Sequence, residues 1–192
     1  MYSQAESIEF ESYANPHAWF LVASELHEQA KLLKSSDSSN TKKVDQKTNE
    51  VTSWKNSNRA TFLLAGFALE NVIKAYLVYE NPTVIENGFL ANKIKSHDLV
   101  KLAKKSTLMP NLEKCIDTLK YFEDGLESWA RYPCGLNYAQ TKEQVLLDED
   151  MWKNYLFLMK NYEKSLKLLL AQKWKGPHEF EASYLIEGNW LD

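Results

Sequence analysis

Apolar residues recur every three or four positions along most of the chain. From Pro16 to Lys34 the positions Trp19, Val22, Ala23, Leu26, Ala30 and Leu33 trace one stripe. That spacing predicts an amphipathic helix, opened by a proline suited to a first turn. A second helix is predicted over Ser53–Tyr79. Its centre, Ala60 to Val78, is apolar on nearly every side and is broken by Glu70 and Asn71. A helix apolar all round belongs in the middle of a domain. Asn81-Pro82 ends it.

Weaker stripes follow. Ser96 is the expected N-cap of a short helix, with Asp98 in its first turn and Leu99, Leu102 and Ala103 as its apolar face. Pro110 is expected to open a fourth helix, carrying Leu112, Ile116, Leu119, Phe122, Leu126 and Trp129. Residues 131–143 read as irregular. A last helix spans about Asp148–Lys173, where Trp152, Tyr155, Met159, Tyr162, Leu166 and Leu169 alternate at threes and fours.

The remaining segments are polar or mixed. Residues 1–13 are expected to fray, and residues 35–52 read as a flexible loop of Ser, Asn, Asp, Lys and Thr. Residues 176–192 form an irregular tail. Its Phe180, Tyr184, Leu185, Ile186 and Trp190 suit packing on the bundle or on a second copy. The reading is all-α: a single domain over residues 1–192, an up-and-down bundle of four to five helices.

Composition narrows this further. Six Gly and five Pro in 192 residues are too few for a sandwich, a barrel or a glycine-loop phosphate binder. No GxxxxGK[ST], GxGxxG or GxSxG occurs, and no HExxH. The net charge of -3 speaks against nucleic-acid binding by bulk charge. Cys115 and Cys134 are too few and too separated for a disulfide framework or a CxxC pair. Cys115 reads as a small core hydrophobe. A reduced, cytoplasmic protein with no cofactor and no metal is expected. The longest apolar stretch, Phe62–Leu69, is far short of the ~20 residues of a membrane span. Glu25-Leu26-His27-Glu28 reads as a polar edge of the first helix.

Three groups of residues go beyond simple packing. Glu70 and Lys74 stand one turn apart in the favourable order, with Asn71 beside them. Either they form a solvated seam, or they are polar groups held inward that need a partner or a ligand. His97-Asp98-Leu99 opens a helix, with either a capping role or a chemical one. Arg131-Tyr132-Pro133-Cys134-Gly135-Leu136-Asn137-Tyr138 is either a helix-breaking loop or a rigid mount for a guanidinium fork that takes phosphate. Lys93, Lys95, Lys101, Lys104 and Lys105 surround Asp98, an excess of positive charge that is either a solvated face or a phosphate contact.

Taken in order, these groups resemble the HEPN family of helical-bundle domains. The resemblance rests on Phe67-Ala-Leu-Glu-Asn-Val-Ile-Lys-Ala-Tyr-Leu in a central helix, then His97-Asp-Leu, then Ala130-Arg131-Tyr132-Pro133 closing a long helix. It covers about Ala14 to Leu170. Many such domains are metal-independent ribonucleases of toxin–antitoxin, abortive-infection and CRISPR systems. They act as homodimers that join two copies of an Arg-x4-6-His motif. Others bind nucleotides or RNA without catalysis, or sit beside a nucleotidyltransferase.

Arg131 matches the motif arginine. Asn137 and Tyr138 stand where the histidine is expected, and Asn cannot shuttle a proton near neutral pH. The resemblance therefore implies a noncatalytic, homodimeric module for RNA or nucleotide, with Glu70, Asn71, Lys74, Arg131, Asn137 and Tyr138 lining its cleft. A nucleotidyltransferase or antitoxin partner fits the same reading. Two alternatives stay open. One is a ribonuclease with an atypical set drawn from Arg131, Asn137 and His97. The other is a helical protein-interaction scaffold that uses its six Trp and ten Tyr.

Overall fold

The computed structural model describes residues 2–36, 40–135, 137–142 and 147–186, with backbone alone at 140 and 142. Within these residues the chain is mostly helical, with two short antiparallel sheets. The helices are α1 (Gln4–Ala14), α2 (Pro16–Ser35), α3 (Asn58–Glu80), α4 (Leu99–Ala103), α5 (Leu112–Glu127), α6 (Tyr138–Lys142) and α7 (Glu149–Leu170). Strands β1 (Asn40–Val44) and β2 (Val51–Lys55) form a hairpin, and β3 (Trp174–Lys175) pairs with β4 (Glu181–Ala182).

Helix α3 is the axis of the domain, as its all-round apolar sequence predicts. Fourteen of its residues are buried, from Thr61 to Val78. Helix α2 packs along it, and α4, α5 and α7 cover its other sides. By length and composition α3 could also cross a membrane, which no eight-residue window of the sequence reveals. Its apolar surface is instead mostly covered by the neighbouring helices. The α3–α5 approach is close enough to require glycine: a Cβ on Gly125 would lie 2.3 Å from the Phe62 ring. Phe62 stacks on Phe122 at 4.7 Å between ring centroids and meets Trp129 at 4.5 Å.

Several local expectations are corrected. The start does not fray as a polar tail. Ser3 and Glu6 form a reciprocal capping box that satisfies the first amides of α1. The loop expected over 35–52 holds β1 and the start of β2, and α3 starts at Asn58 rather than Ser53. The turn between the strands is held by Asp45, whose carboxylate accepts from the Lys47 and Thr48 amides, and by Asn49 in the left-handed region. Residues 37–39 of that loop lie outside the described residues.

Asp98, not Ser96, caps α4. Its side chain accepts from Lys101 N–H, while the Ser96 hydroxyl accepts from Asp98 N–H. Asn111, with φ of 56°, precedes α5, so Pro110 lies outside the helix it was expected to open. The irregular segment 131–143 includes α6, and α7 ends three residues short of Lys173.

His27 is the largest correction. It is no polar edge: the residue is fully buried, and its Nδ1 lies 2.7 Å from the Tyr155 hydroxyl. Burial holds the Tyr155 phenol far above its usual range, so it stays neutral in this core. Cys115 is buried as expected, and burial pushes its thiol up.

The tail docks on the domain. Trp174 donates to the Tyr79 carbonyl and meets Phe180 edge-on, while Tyr184 stacks on His17 at 4.4 Å. His178 contacts the buried carboxylate of Glu11. Leu185 is exposed. Trp190, expected to join this packing, lies outside the described residues, as do Leu136 and Glu143.

Candidate functional site

Residues 67, 70, 71 and 74 follow the helical repeat, so they share one face of α3. Three distant segments meet that face. From α2, the Trp19 ring lies 5.5 Å from Lys74 Nζ. From the start of α4, His97 Nδ1 lies 2.9 Å from Glu70 Oε2. From the turn after α5, the Arg131 guanidinium sits 5.6 Å from the centre of the Phe67 ring.

The sequence left open whether Glu70 and Lys74 face solvent or the interior. They face inward: their side chains are only 7% and 6% exposed, and Lys74 Nζ is 2.7 Å from Glu70 Oε1. A buried charge must be compensated. Each oxygen of Glu70 has a partner, Lys74 on one and His97 on the other. The ammonium of Lys74 has that carboxylate and the Trp19 face. Asn71 satisfies its amide within its own helix, donating to the Phe67 carbonyl at 2.7 Å.

An ionised carboxylate only accepts, so the His97 nitrogen facing Glu70 carries a proton. In a neutral ring this leaves Nε2 as an acceptor, on a side chain that is 51% exposed. The geometry is that of a histidine oriented by a carboxylate.

Arg131 is exposed, and its flat guanidinium lies over an aromatic ring. Its position is set by the turn that follows α5. The Ser128 carbonyl accepts from the amides of Arg131 and Tyr132, and Arg59 of α3 donates to the carbonyls of Tyr132 and Pro133. Arg59 was not singled out from the sequence; Trp19 stood only in the apolar stripe of α2 and Phe67 only at the start of the family motif, neither as a site residue. Phe67 had a visible signal, one turn before Glu70 and Asn71. Arg59 and Trp19 had none, because their partners are remote in sequence.

The other expected residues lie elsewhere or play local roles. Tyr138 is 81% exposed at the start of α6, so its ring packs on little. Asn137 is exposed, and its carbonyl accepts from the Thr141 amide and hydroxyl. Lys93, Lys95, Lys101, Lys104 and Lys105 are all exposed, and Lys105 reaches back to the Lys93 carbonyl at 2.8 Å. Burial works to raise the Asp98 carboxyl. The hydrogen bond from Lys101 N–H, the contact with Glu123 and the charges of Lys101 and Lys120 outweigh it and hold it below the usual range. Among the described residues, no three His, Cys, Asp or Glu side chains gather as a metal site.

The seam thus unites Glu70, Asn71, Lys74, His97 and Arg131 around α3, and it leaves the Tyr138 ring on the surface. No family model, curated protein or solved structure matches the chain.

Proposed function

We propose that this protein is a HEPN-like module that binds RNA or nucleotide without cleaving it, working as a cytoplasmic homodimer in a toxin–antitoxin or phage-defence setting. The observation that supports the reading is the convergence on one face of α3. The three sequence groups carrying the family resemblance, around Glu70, His97 and Arg131, are 27 to 61 positions apart in the chain, yet each has a contact there. Arg131, stacked on Phe67, offers planar donors suited to phosphate. Glu70 and Lys74 neutralise one another, and Glu70 holds His97 beside them. The lysines at 93–105 would add contacts to the nucleic-acid backbone. A partner such as a nucleotidyltransferase or an antitoxin belongs to the same proposal.

The test is a filter-binding titration with single-stranded RNA and with common nucleotides at low salt. Binding that falls steeply with salt and weakens in Arg131→Ala is expected. No binding by the wild type at low salt overturns the reading.

The His97–Glu70 contact favours a second reading, a metal-independent ribonuclease with an atypical set. His97 would move a proton, and Arg131 would stabilise charge on the phosphate. RNA incubated with the protein in EDTA would then acquire 2′,3′-cyclic phosphate ends, lost in His97→Gln. RNA that stays intact excludes it.

A further inference from the structure

A cleft of about 620 Å³ lies between the β1–β2 hairpin, the start of α3 and the turn after α5. That is within the usual range for small-molecule sites, roughly 300–1,000 Å³. Its walls include Lys43, Trp54, Lys55, Arg59 and Trp129, and among the described residues no lining residue is acidic. Asp45 and Glu149 feel the charges of Lys43 and Lys55, but neither carboxylate lines the cleft.

Three features meet there. First, two cations, Lys43 and Arg59, share one concave surface, while Lys55, next to Trp54 in β2, starts from the opposite face of the hairpin. Second, α3, a helix of 23 residues, points its positive end at the cleft through Asn58 and Arg59 and has no side-chain cap at Ser57. Third, Asn58 keeps a buried side-chain nitrogen with no hydrogen-bond partner among the described residues. Trp54 supplies an aromatic face that is 37% exposed, and Trp129 closes the apolar wall against Phe62. Register places Trp54 opposite Thr41 and Lys43 opposite Thr52. Trp54 and Lys43 therefore stand on the same face of the hairpin.

We infer that this cleft binds a nucleoside phosphate, with the base against Trp54 and the phosphate among Lys43, Arg59 and the first turn of α3. The ligand is either a free nucleotide or one nucleotide of an RNA strand. Cations alone would suit any anion. The exposed indole beside them is what selects a planar base, because stacking is available to every base. Arg59 has a second role here. It already braces the Tyr132 and Pro133 carbonyls, so a phosphate drawn to it would bear on the turn that carries Arg131. This inference shares its ligand class with the function proposed above but stands on other residues, so substitutions at Trp54 and at Arg131 tell the two apart.

The test is isothermal titration of the full chain with AMP, adenosine, inorganic phosphate and a 5′-phosphorylated single-stranded hexaribonucleotide. Wild type is expected to bind AMP or the RNA, and the tighter of the two names the source. Trp54→Ala should weaken binding about tenfold or more, with rescue by Trp54→Phe. Lys43→Ser should weaken it and flatten the salt dependence, by about one in slope with the RNA, and Lys55→Ser, on the opposite face of the hairpin, should change it less. All four substitutions are at exposed strand positions, and unchanged circular dichroism confirms that the fold persists. Arg131→Ala should leave AMP binding in place. The inference is overturned if wild type binds neither ligand, if Trp54→Ala binds as wild type does, or if phosphate alone binds as tightly as AMP. Binding lost in Arg131→Ala but kept in Trp54→Ala moves the ligand to the α3 seam, overturning this cleft and sustaining the other reading.

Discussion

The seam on α3 and the cleft at its N-terminus both set cations against aromatic rings, but they treat charge in opposite ways. At the seam, Lys74 is buried, and its charge is matched by Glu70 at 2.7 Å and by the Trp19 face. At the cleft, Lys43 and Arg59 are exposed and, among the described residues, no acidic side chain lines the walls. The difference follows from solvation. A buried ammonium without a counter-charge costs several kcal/mol, so burial obliges the fold to supply the partner. An exposed one is solvated by water, so its charge remains available to an incoming anion. The seam's inner charges are therefore committed to structure. Arg131 and His97 at its outer edge, and the cleft's cations, are the groups left to meet a ligand.

Breaking the buried pair should have the largest effect. Glu70→Ala strands Lys74 and should lower stability by about 3–5 kcal/mol in urea unfolding. The double change Glu70→Leu with Lys74→Met removes both charges and should recover most of that loss. If Glu70→Ala unfolds at the wild-type midpoint, the pair is not structural and the comparison collapses. Arg131→Ala gives up an exposed cation–π contact and should cost about 0.5–1 kcal/mol, measured in the same way. A loss as large as that of Glu70→Ala would mean that Arg131 belongs to the committed group. Lys43→Ser and Lys55→Ser should change stability by no more than about 0.5 kcal/mol, as exposed positions do. A larger drop would show that the cleft's charges also support the fold.

The smallest effect is a pH response confined to the contact between the start of α2 and the tail, which tests whether titration reaches either region. Burial lowers the His17 pKa from its ordinary 6.5. Just below that value the unfolded ring takes a proton that the folded ring refuses. The contribution is therefore complete above about 6.5 and is lost as pH falls through the folded value. Hydrogen exchange between pH 7 and 5 should show loosening around His17 and Tyr184, whose rings stack, while α3 stays protected. Loosening that begins at the hairpin instead would contradict this assignment.

Local regularities made much of the fold legible. Helix α7 follows the stripe of Trp152, Tyr155, Met159, Tyr162 and Leu166, all buried. Helix α3 is central because few of its positions are polar. These are statements about periodicity, which neighbouring residues carry between them. The hairpin was missed because Lys, Thr and Ser dominate its strands, and both strands are exposed throughout. No apolar alternation marks a strand that buries neither face. Its signal lay in the turn, in Asp45 and Asn49. His27 was misread because its polar neighbours Glu25 and Glu28 suggested an outer face, while the residue that accommodates it, Tyr155, is 128 positions away.

The sequence by itself determined the helical character, the central place of α3 and the short list of polar residues worth locating. It could not determine which way those residues turn. Glu70 and Lys74 fit a solvated seam and a buried pair equally well on helical spacing alone. Only the arrival of Trp19 and His97 from two other parts of the chain decided the matter, because the cost of burying a charge depends on what else is buried with it. The cleft is likewise a tertiary product: Lys43, Trp54, Arg59 and Trp129 share no motif, and they form one surface only once the hairpin folds against the start of α3.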